Sequence, residues 1–108
     1  MTVFLVNRFF YPDHSATSQH FCDLAAGLQR AGLDIVVVSS RQLIDDPQAG
    51  LARREAWQGV AICRVGDTAL GRGRIAARLL DYLSFALAAR TYLSRRCGRG
   101  DVVIVGTD

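Results

Sequence analysis

The stretch that constrains the fold most is residues 2–32. It contains a short apolar run at residues 2–7, a polar and aromatic loop at residues 8–16, and a helix-periodic segment at residues 17–31 that ends before Gly32. A strand bare of charge, followed by a loop and an amphipathic helix, is typical of a parallel sheet that is buried on both faces. In such folds the loop lies at the carboxyl end of the strand, where ligands bind.

The predicted first helix has one apolar stripe, which we expect to face the sheet. Its members recur at helical spacing and are Phe21, Leu24, Ala25, Leu28 and Ala31. Gly32 is the expected left-handed terminator of this helix. Residues 35–40 are β-branched and uncharged, so they predict a second buried parallel strand that completes one strand, helix and strand unit.

The middle of the chain predicts a surface excursion and a hairpin. Residues 41–59 contain a proline, a glycine and mixed charge, which break any period. Gln58 and Gly59 favour the turn of a short hairpin, which sets Trp57 near the start of a third strand at residues 60–65.

The second half predicts a long helix and a last strand. The helix covers residues 74–96 and is ended by Gly98, and residues 101–106 form the fourth strand. The predicted fold class is therefore α/β, a Rossmann-like parallel sheet sandwiched by helices. Because such a domain needs a further loop and helix to cover its last central strand, we expect residues 1–108 to be the amino-terminal part of a longer protein. A complete four-stranded domain is the alternative.

Charge and cysteine content narrow the function classes. Thirteen arginines and ten acidic residues give a net charge of +3, which is too modest to indicate nucleic-acid binding. Seven of the arginines and three of the acids lie in residues 70–108, so the second half is the basic half. The cysteines Cys22, Cys63 and Cys97 lack metal-ligand spacing, and we interpret them as structural thiols of a reducing cytosolic compartment. We expect no signal peptide, no spanning helix, no metal and no cofactor.

The loop after the first strand is the predicted binding site. It has no glycine between residues 7 and 18, so the dinucleotide fingerprint and the Walker phosphate loop are both absent. The hydroxyls of Ser15, Thr17 and Ser18 and the first free amides of a helix can instead hold a phosphate, a sugar hydroxyl or a carboxylate. Ordinary capping of the helix by Ser15 or Thr17 is the competing interpretation.

Other side chains of this loop have both functional and structural interpretations. Asp13 can contact substrate hydroxyls or favour the positive end of the helix, and His14 is a proton acceptor without a carboxylate to orient it. Among Phe9, Phe10 and Tyr11, we expect one or two rings to pack as core. The remaining ring can floor a pocket, since aromatic faces stack on sugars.

The long helix is the second informative stretch. At 100° per residue one narrow face collects a set of arginines with an acid and two rings. They are Arg74, Arg78, Asp81, Phe85, Tyr92 and Arg96. Because its middle is apolar nearly all round, the helix is either buried between layers or pressed against a membrane or a partner, and Arg90 on the far side favours burial. The predicted membrane or partner surface consists of Arg72, Arg74, Arg78 and Phe85.

The opening residues resemble a known family. The resemblance rests on the first loop, the start of the first helix and the valine-rich second strand that ends in Ser39-Ser40-Arg41. The loop and helix motifs are Asn7-Arg8-Phe9-Phe10-Tyr11-Pro12-Asp13, Ala16-Thr17-Ser18-Gln19 and Asp23-Leu24-Ala25. Residues 55–65 and 103–108 fit later strands of the same group. The chain is similar over essentially its whole length to the start of retaining glycosyltransferases of family four with the GT-B fold, in the subgroup that builds colanic-acid-like exopolysaccharides.

The resemblance implies an acceptor site and a second domain. In this family two Rossmann-like domains face each other across a cleft, and the first holds the acceptor while the second holds the nucleotide-sugar donor. Many members have glycines in the first loop, whereas the serines and threonine of this chain favour hydroxyl contacts. The implied acceptor-binding residues are Tyr11, Pro12, Asp13, His14, Ser15, Ala16, Thr17 and Ser18. The donor would bind mainly the second domain, so the resemblance gives residues 1–108 no catalytic residue and no cofactor.

The function implied by the resemblance is sugar transfer. The full-length protein would be a glycosyltransferase of hexosyltransferase type, cytoplasmic and peripheral to the inner membrane, that moves a sugar from a nucleotide-sugar donor to a lipid-linked or saccharide acceptor in bacterial polysaccharide synthesis. Residues 1–108 alone are expected to be inactive. The alternatives are a non-catalytic small-anion-binding or interaction module and a fragment of a GT-B-like nucleotide-sugar epimerase.

The expected partners follow from the same considerations. They are the saccharide or lipid-linked acceptor, the missing carboxyl-terminal donor domain and the inner-membrane surface, but no nucleic acid. The last strand, if it lies at an edge of the sheet, has unpaired backbone groups that invite pairing with a second copy.

Overall fold

In the described part of the chain, five strands form one sheet with a helix on each face. A computed structural model describes residues 2–13, 15–43, 49–66 and 75–106. The elements are β1 (Thr2–Val6), α1 (Ala16–Arg30), β2 (Asp34–Ser40), β3 (Arg54–Trp57), β4 (Val60–Val65), α2 (Ile75–Arg96) and β5 (Val102–Val105). The predicted surface excursion includes residues 44–48, which lie outside the described residues.

The order of the strands is β3-β4-β2-β1-β5. β1 pairs in parallel with β2 and with β5, β2 pairs in parallel with β4, and β3 runs antiparallel to β4. The four parallel strands therefore stand in the order third, second, first and fourth along the chain, which is the order of a Rossmann-like sheet. The predicted fold class is confirmed, with β3 as an additional antiparallel strand at one edge.

The central strands β1 and β2 are mostly buried, and their successive residues pack on opposite faces of the sheet. Val3 and Leu5 of β1 belong to one apolar cluster, which also contains Ala25 of α1. Phe4 and Val6 belong to a second cluster, together with Phe85 and Ala89 of α2. Each helix thus covers one face, and each fully buried aliphatic side chain contributes about 1.5–3 kcal/mol.

Two predicted turns are confirmed by their backbone angles. Gln58 and Gly59 have φ values of +49° and +80°, as the two central residues of a type I′ hairpin turn require. This turn places Trp57 opposite Val60, at the start of β4. Gly32, with φ of +90°, terminates α1 as predicted.

The apolar stripe predicted for α1 is partly wrong. Leu24 and Ala31 are exposed, and the face that meets the sheet includes Ser18 instead. A serine fits there because its hydroxyl donates a hydrogen bond to the Asp13 carbonyl at 3.2 Å, which offsets the cost of burying it. The other members of the sheet-facing surface are Phe21, Cys22, Ala25 and Leu28.

The surface predicted on α2 also needs correction. Phe85 is only 6% exposed and packs against the sheet with Phe4 and Val38, so it is not part of an outer surface. Asp81 is buried on the same side of the helix. The outward-facing apolar residues are Leu79, Leu80, Leu83 and Leu87. Arg72 and Arg74 lie outside the described residues, as does the side chain of Arg78.

β5 lies at an edge of the sheet within the described residues. Val102, Val103 and Val105 are exposed there. Self-association through this edge stays a prediction. Neither described helix is both long enough and apolar enough to cross a bilayer.

Candidate functional site

A crevice lies between β1 and β5, where the sheet changes direction. From β1 the chain proceeds to β2 on one side, whereas β5 pairs on the other side, so this is the switch point at which open α/β sheets bind ligands. The amide of Gly106 donates a hydrogen bond to the Val6 carbonyl at 2.7 Å, which joins the ends of the two strands. A side chain at Gly106 would lie 2.5 Å from the Asn7 Oδ1 and would strike the Phe21 ring. Glycine is therefore required for this close approach.

The aromatic part of the loop is packed as predicted. Phe9 and Phe10 are buried, and Phe10 meets Trp57 edge-on at 5.6 Å between ring centroids. Tyr11 stacks on Trp57 at 5.3 Å with an interplanar angle of 25° and remains 38% exposed. Tyr11 is thus the exposed ring of the three.

The start of α1 is capped by the loop itself. The Ser18 amide donates to the Ser15 Oγ at 3.3 Å, so the capping interpretation is confirmed for Ser15. The Ser15 amide in turn donates to an Asp13 carboxylate oxygen at 2.9 Å. Because this carboxylate already lies at the positive end of α1, it opposes the binding of another anion there.

The predicted acceptor-binding residues divide by exposure. Asp13 and Ser18 are buried and hold the loop, whereas Tyr11 and Ala16 are exposed. Pro12, Ser15 and Thr17 are partly exposed. His14 lies outside the described residues. Acceptor binding by this loop stays a prediction, and its solvent-facing part consists of Tyr11, Pro12, Ser15, Ala16 and Thr17.

Arg64 holds the loop in place, a role that the sequence did not reveal. Its side chain is fully buried, and its Nη2 donates to the Tyr11 carbonyl at 2.6 Å. Its Nη1 donates to the Ala52 carbonyl at 3.0 Å and to the Glu55 carboxylate at 2.6 Å. The sequence feature that could have indicated this role is the position of an arginine inside the apolar run of residues 60–65.

A buried ion pair lies beneath the crevice. The Arg8 Nη2 is 3.3 Å from the Asp81 carboxylate and also donates to the Gln42 Oε1 at 3.3 Å. The Arg8 guanidinium lies over the rings of Phe9 and Tyr82. The pair connects the end of β1 to α2. The sequence feature that could have indicated this ion pair is Asp81, the one acidic residue in residues 75–96.

An apolar groove continues from the crevice along α2. Its volume is about 1090 Å³, and its walls come from β1, β5 and one side of α2. Val6, Phe85, Ala89, Leu93 and Val105 are among the apolar residues that line it. Arg8 and Arg90 are the arginines of the lining.

The thiols are all free. Burial raises the pKa of the Cys22 thiol, which keeps it protonated and unreactive at neutral pH. The Tyr92 hydroxyl donates to the Cys63 Sγ at 3.1 Å. Among the residues that the structure describes, no three His, Cys, Asp or Glu side chains are grouped as a metal site would require.

Rising alkaline pH is expected to lower the stability of the protein in part through Tyr92. Burial, and then the bond to Cys63, raises the pKa of Tyr92 to about 12, above the ordinary value of about 10. Because the folded pKa is the higher one, the associated stability is complete below about pH 10 and is lost as the pH rises towards about 12. We expect a spectrophotometric titration to show a late tyrosinate step that Tyr92→Phe removes. An unchanged titration in this variant would contradict the assignment.

The fold and the crevice define the protein as an α/β protein with a Rossmann-like sheet and a candidate ligand site at the carboxyl ends of its parallel strands. No family model and no solved structure matches the chain. An SDS degradation transcriptional activation protein from Pseudomonas sp. is 38% identical over 56 residues, which are 52% of this chain and 18% of that protein. The match spans under a fifth of the relative, so it does not assign an activity.

Proposed function

We propose that the protein is the acceptor-binding part of a glycosyltransferase that moves a sugar from a nucleotide-sugar donor to a lipid-linked or saccharide acceptor. The observation that carries this proposal is the uncharged rim formed by Tyr11, in the loop after β1, and Thr17, in the first turn of α1. Tyr11 is stacked on Trp57 and its carbonyl is held by Arg64, so the rim is preorganised before a ligand arrives. The resemblance of the loop motif to family-four glycosyltransferases supplies the reaction.

The rim suits a sugar better than it suits an anion. Tyr11 offers an exposed aromatic side chain, and Thr17 offers a hydroxyl at the start of α1. The Asp13 carboxylate is bonded to the Ser15 amide and opposes a phosphate at the same helix end. This contact favours an acceptor with hydroxyl groups over the alternative of a small-anion-binding module.

The proposal includes the cellular setting that such an acceptor requires. A lipid-linked saccharide is presented at the inner membrane, and a nucleotide sugar is supplied from the cytoplasm. We therefore place the protein in the cytoplasm, at the membrane periphery. The donor is expected to bind a second domain, so residues 1–108 carry acceptor contacts rather than the catalytic groups.

The test is a transfer assay with the full-length protein, a panel of nucleotide sugars and lipid-linked acceptors. We expect Tyr11→Ala and Thr17→Val each to raise the KM for the acceptor by about 3- to 10-fold, because each variant removes one ring contact or one hydrogen bond to the acceptor. The kcat and the KM for the donor should stay unchanged. His20→Ala is the matched control, because His20 is an exposed residue of α1 beyond the rim.

Two outcomes would count against the proposal. One is the absence of transfer and of donor hydrolysis with every member of the panel. The other is a KM for the acceptor that is as insensitive to Tyr11→Ala as it is to His20→Ala. Conversion of the nucleotide sugar into its epimer without an acceptor would instead identify an epimerase.

A further inference from the structure

The apolar groove along α2 has the dimensions of a ligand site. Its volume of about 1090 Å³ matches the upper end of the range of roughly 300–1,000 Å³ for small-molecule sites. α2 contributes lining residues at every turn from Leu79 to Cys97, and the ends of β1 and β5 contribute Val6 and Val105. The groove is therefore elongated, and its long direction is that of the helix.

The groove has one positive charge that its own lining does not balance. Arg90 is exposed, and the residues three and four positions away from it on either side are uncharged. The other arginine of the lining, Arg8, is 3.3 Å from the Asp81 carboxylate. No acidic residue is among the described residues that line the groove. A ligand that complements the groove is therefore apolar with one anionic end.

The apolar part of the groove matches the length of one hydrocarbon chain. Between Arg90 and Leu79 the helix rises about 16 Å, at about 1.5 Å per residue. A single acyl chain spans one leaflet of a bilayer, which is about 15 Å, half of the hydrocarbon core of about 30 Å. The lining that α2 contributes between these two residues consists of two aromatic rings and two alanines. In the other direction the lining ends at Cys97 and includes Ser94.

We propose that the groove binds a long-chain fatty acid, with its carboxylate on the Arg90 guanidinium and its hydrocarbon chain along α2 towards Leu79. Burial of the chain against the apolar lining drives the binding. A carboxylate carries a single negative charge and fits the planar fork of a guanidinium. A phosphate monoester carries about −1.5 to −2 at neutral pH, which Arg90 alone does not balance.

This site is separate from the proposed sugar-binding rim. Tyr11 of the rim stacks on Trp57, which packs with the apolar cluster on the α1 face of the sheet. The floor of the groove is formed by Phe85 and Ala89 on the α2 face. The fatty-acid site therefore goes beyond the proposed function and does not rest on it.

The test is a calorimetric titration of the full-length protein with octanoate, decanoate and dodecanoate, each below its micellar concentration. We expect the affinity to rise by about fourfold for each added methylene group, because each group is buried against the lining. Arg90→Gln should weaken dodecanoate binding by about fivefold and leave the binding of dodecanol unchanged, because only the acid carries a charge. Arg95→Gln is the matched control, because Arg95 is exposed in the last turn of α2 and does not line the groove.

A second variant blocks the groove without altering its charge. Ala86 is exposed and lines the groove, so Ala86→Trp should fill the space of the chain and weaken dodecanoate binding by at least about tenfold. Ala76→Trp is its control, since Ala76 is an exposed residue of α2 outside the lining. Circular dichroism verifies that each variant is folded.

The accessibility of the groove is measured with Ala86→Cys. In an open groove this thiol reacts with a maleimide faster than the thiols of the unaltered protein do, and dodecanoate slows the reaction. A groove that is covered by another part of the protein or by a second copy would leave the introduced thiol inert, which would overturn the proposal.

The proposal is also overturned if the full-length protein binds no fatty acid, if affinity does not depend on chain length, or if Ala86→Trp binds dodecanoate as tightly as Ala76→Trp does. Tighter binding of dodecyl phosphate than of dodecanoate would overturn the assignment of a carboxylate ligand. Because no sugar enters these assays, fatty-acid binding without transfer activity would remove the proposed function and leave this site in place.

Discussion

Asp81→Asn is expected to lower the free energy of unfolding by about 3–5 kcal/mol. The Arg8 guanidinium and the Asp81 carboxylate are 3.3 Å apart, with side chains that are 4% and 1% exposed. The substitution keeps the size of the side chain but removes its charge, so the Arg8 guanidinium loses this carboxylate. The neutral amide of Gln42 still accepts a hydrogen bond but cannot compensate a buried cation. Urea unfolding with an unchanged m value measures the loss as a lower midpoint.

The control for this prediction is Asp23→Asn on α1. Asp23 is exposed, so we expect its substitution to change stability by no more than about 0.5 kcal/mol. A second variant, Arg8→Met/Asp81→Leu, removes both charges and should recover most of the loss, because well-packed apolar side chains replace a buried ion pair at little cost. Equal midpoints for Asp81→Asn and Asp23→Asn would show that the pair does not stabilise the fold.

The strands and turns could be predicted because their signals are local. Uncharged β-branched runs such as residues 35–40 are typical of strands that are buried on both faces of a sheet. This sequence pattern is the same whatever the position of the strand in the sheet. Gln58 and Gly59 specify a hairpin through their own backbone preferences. The place of β5 beside β1 is different, because it depends on pairing between distant segments that each accept several neighbours.

The faces of the helices were harder to predict because buried polar residues have distant partners. Ser18 and Asp81 look like outward-facing positions in a helical wheel, since burying a polar group is unfavourable unless it is bonded. Ser18 is satisfied by the Asp13 carbonyl, and Asp81 is satisfied by Arg8 at the other end of the chain. Neither partner can be assigned from the periodicity of the helix itself. This is why Leu24 was wrongly placed inside and Phe85 was wrongly placed outside.

The position of the candidate loop along the chain could be predicted from the sequence, but the contacts that shape the loop come from outside it. The switch after β1 follows from the order of strand, loop and helix, and Ser15 follows from the pattern of helix starts. The roles of Trp57 and Arg64 arise from the β3–β4 hairpin, which reaches the loop only in the folded chain. The hairpin therefore determines which loop residues face solvent.

Arg64→Met is expected to destabilise the protein by about 3 kcal/mol, because the carbonyls of Tyr11 and Ala52 lose a charged donor in the interior. Arg54→Met is the matched control on the same hairpin, since Arg54 is exposed and should cost no more than about 0.5 kcal/mol. Denaturant unfolding measures both changes.

Loss of the Arg64 bond should also loosen Tyr11 from Trp57, so the fluorescence of the single tryptophan should shift towards that of a solvated ring in Arg64→Met alone. Destabilisation without any change in this fluorescence would mean that Arg64 supports the hairpin but does not position the loop. Arg64 would then not be the residue that holds Tyr11 in place before a ligand binds.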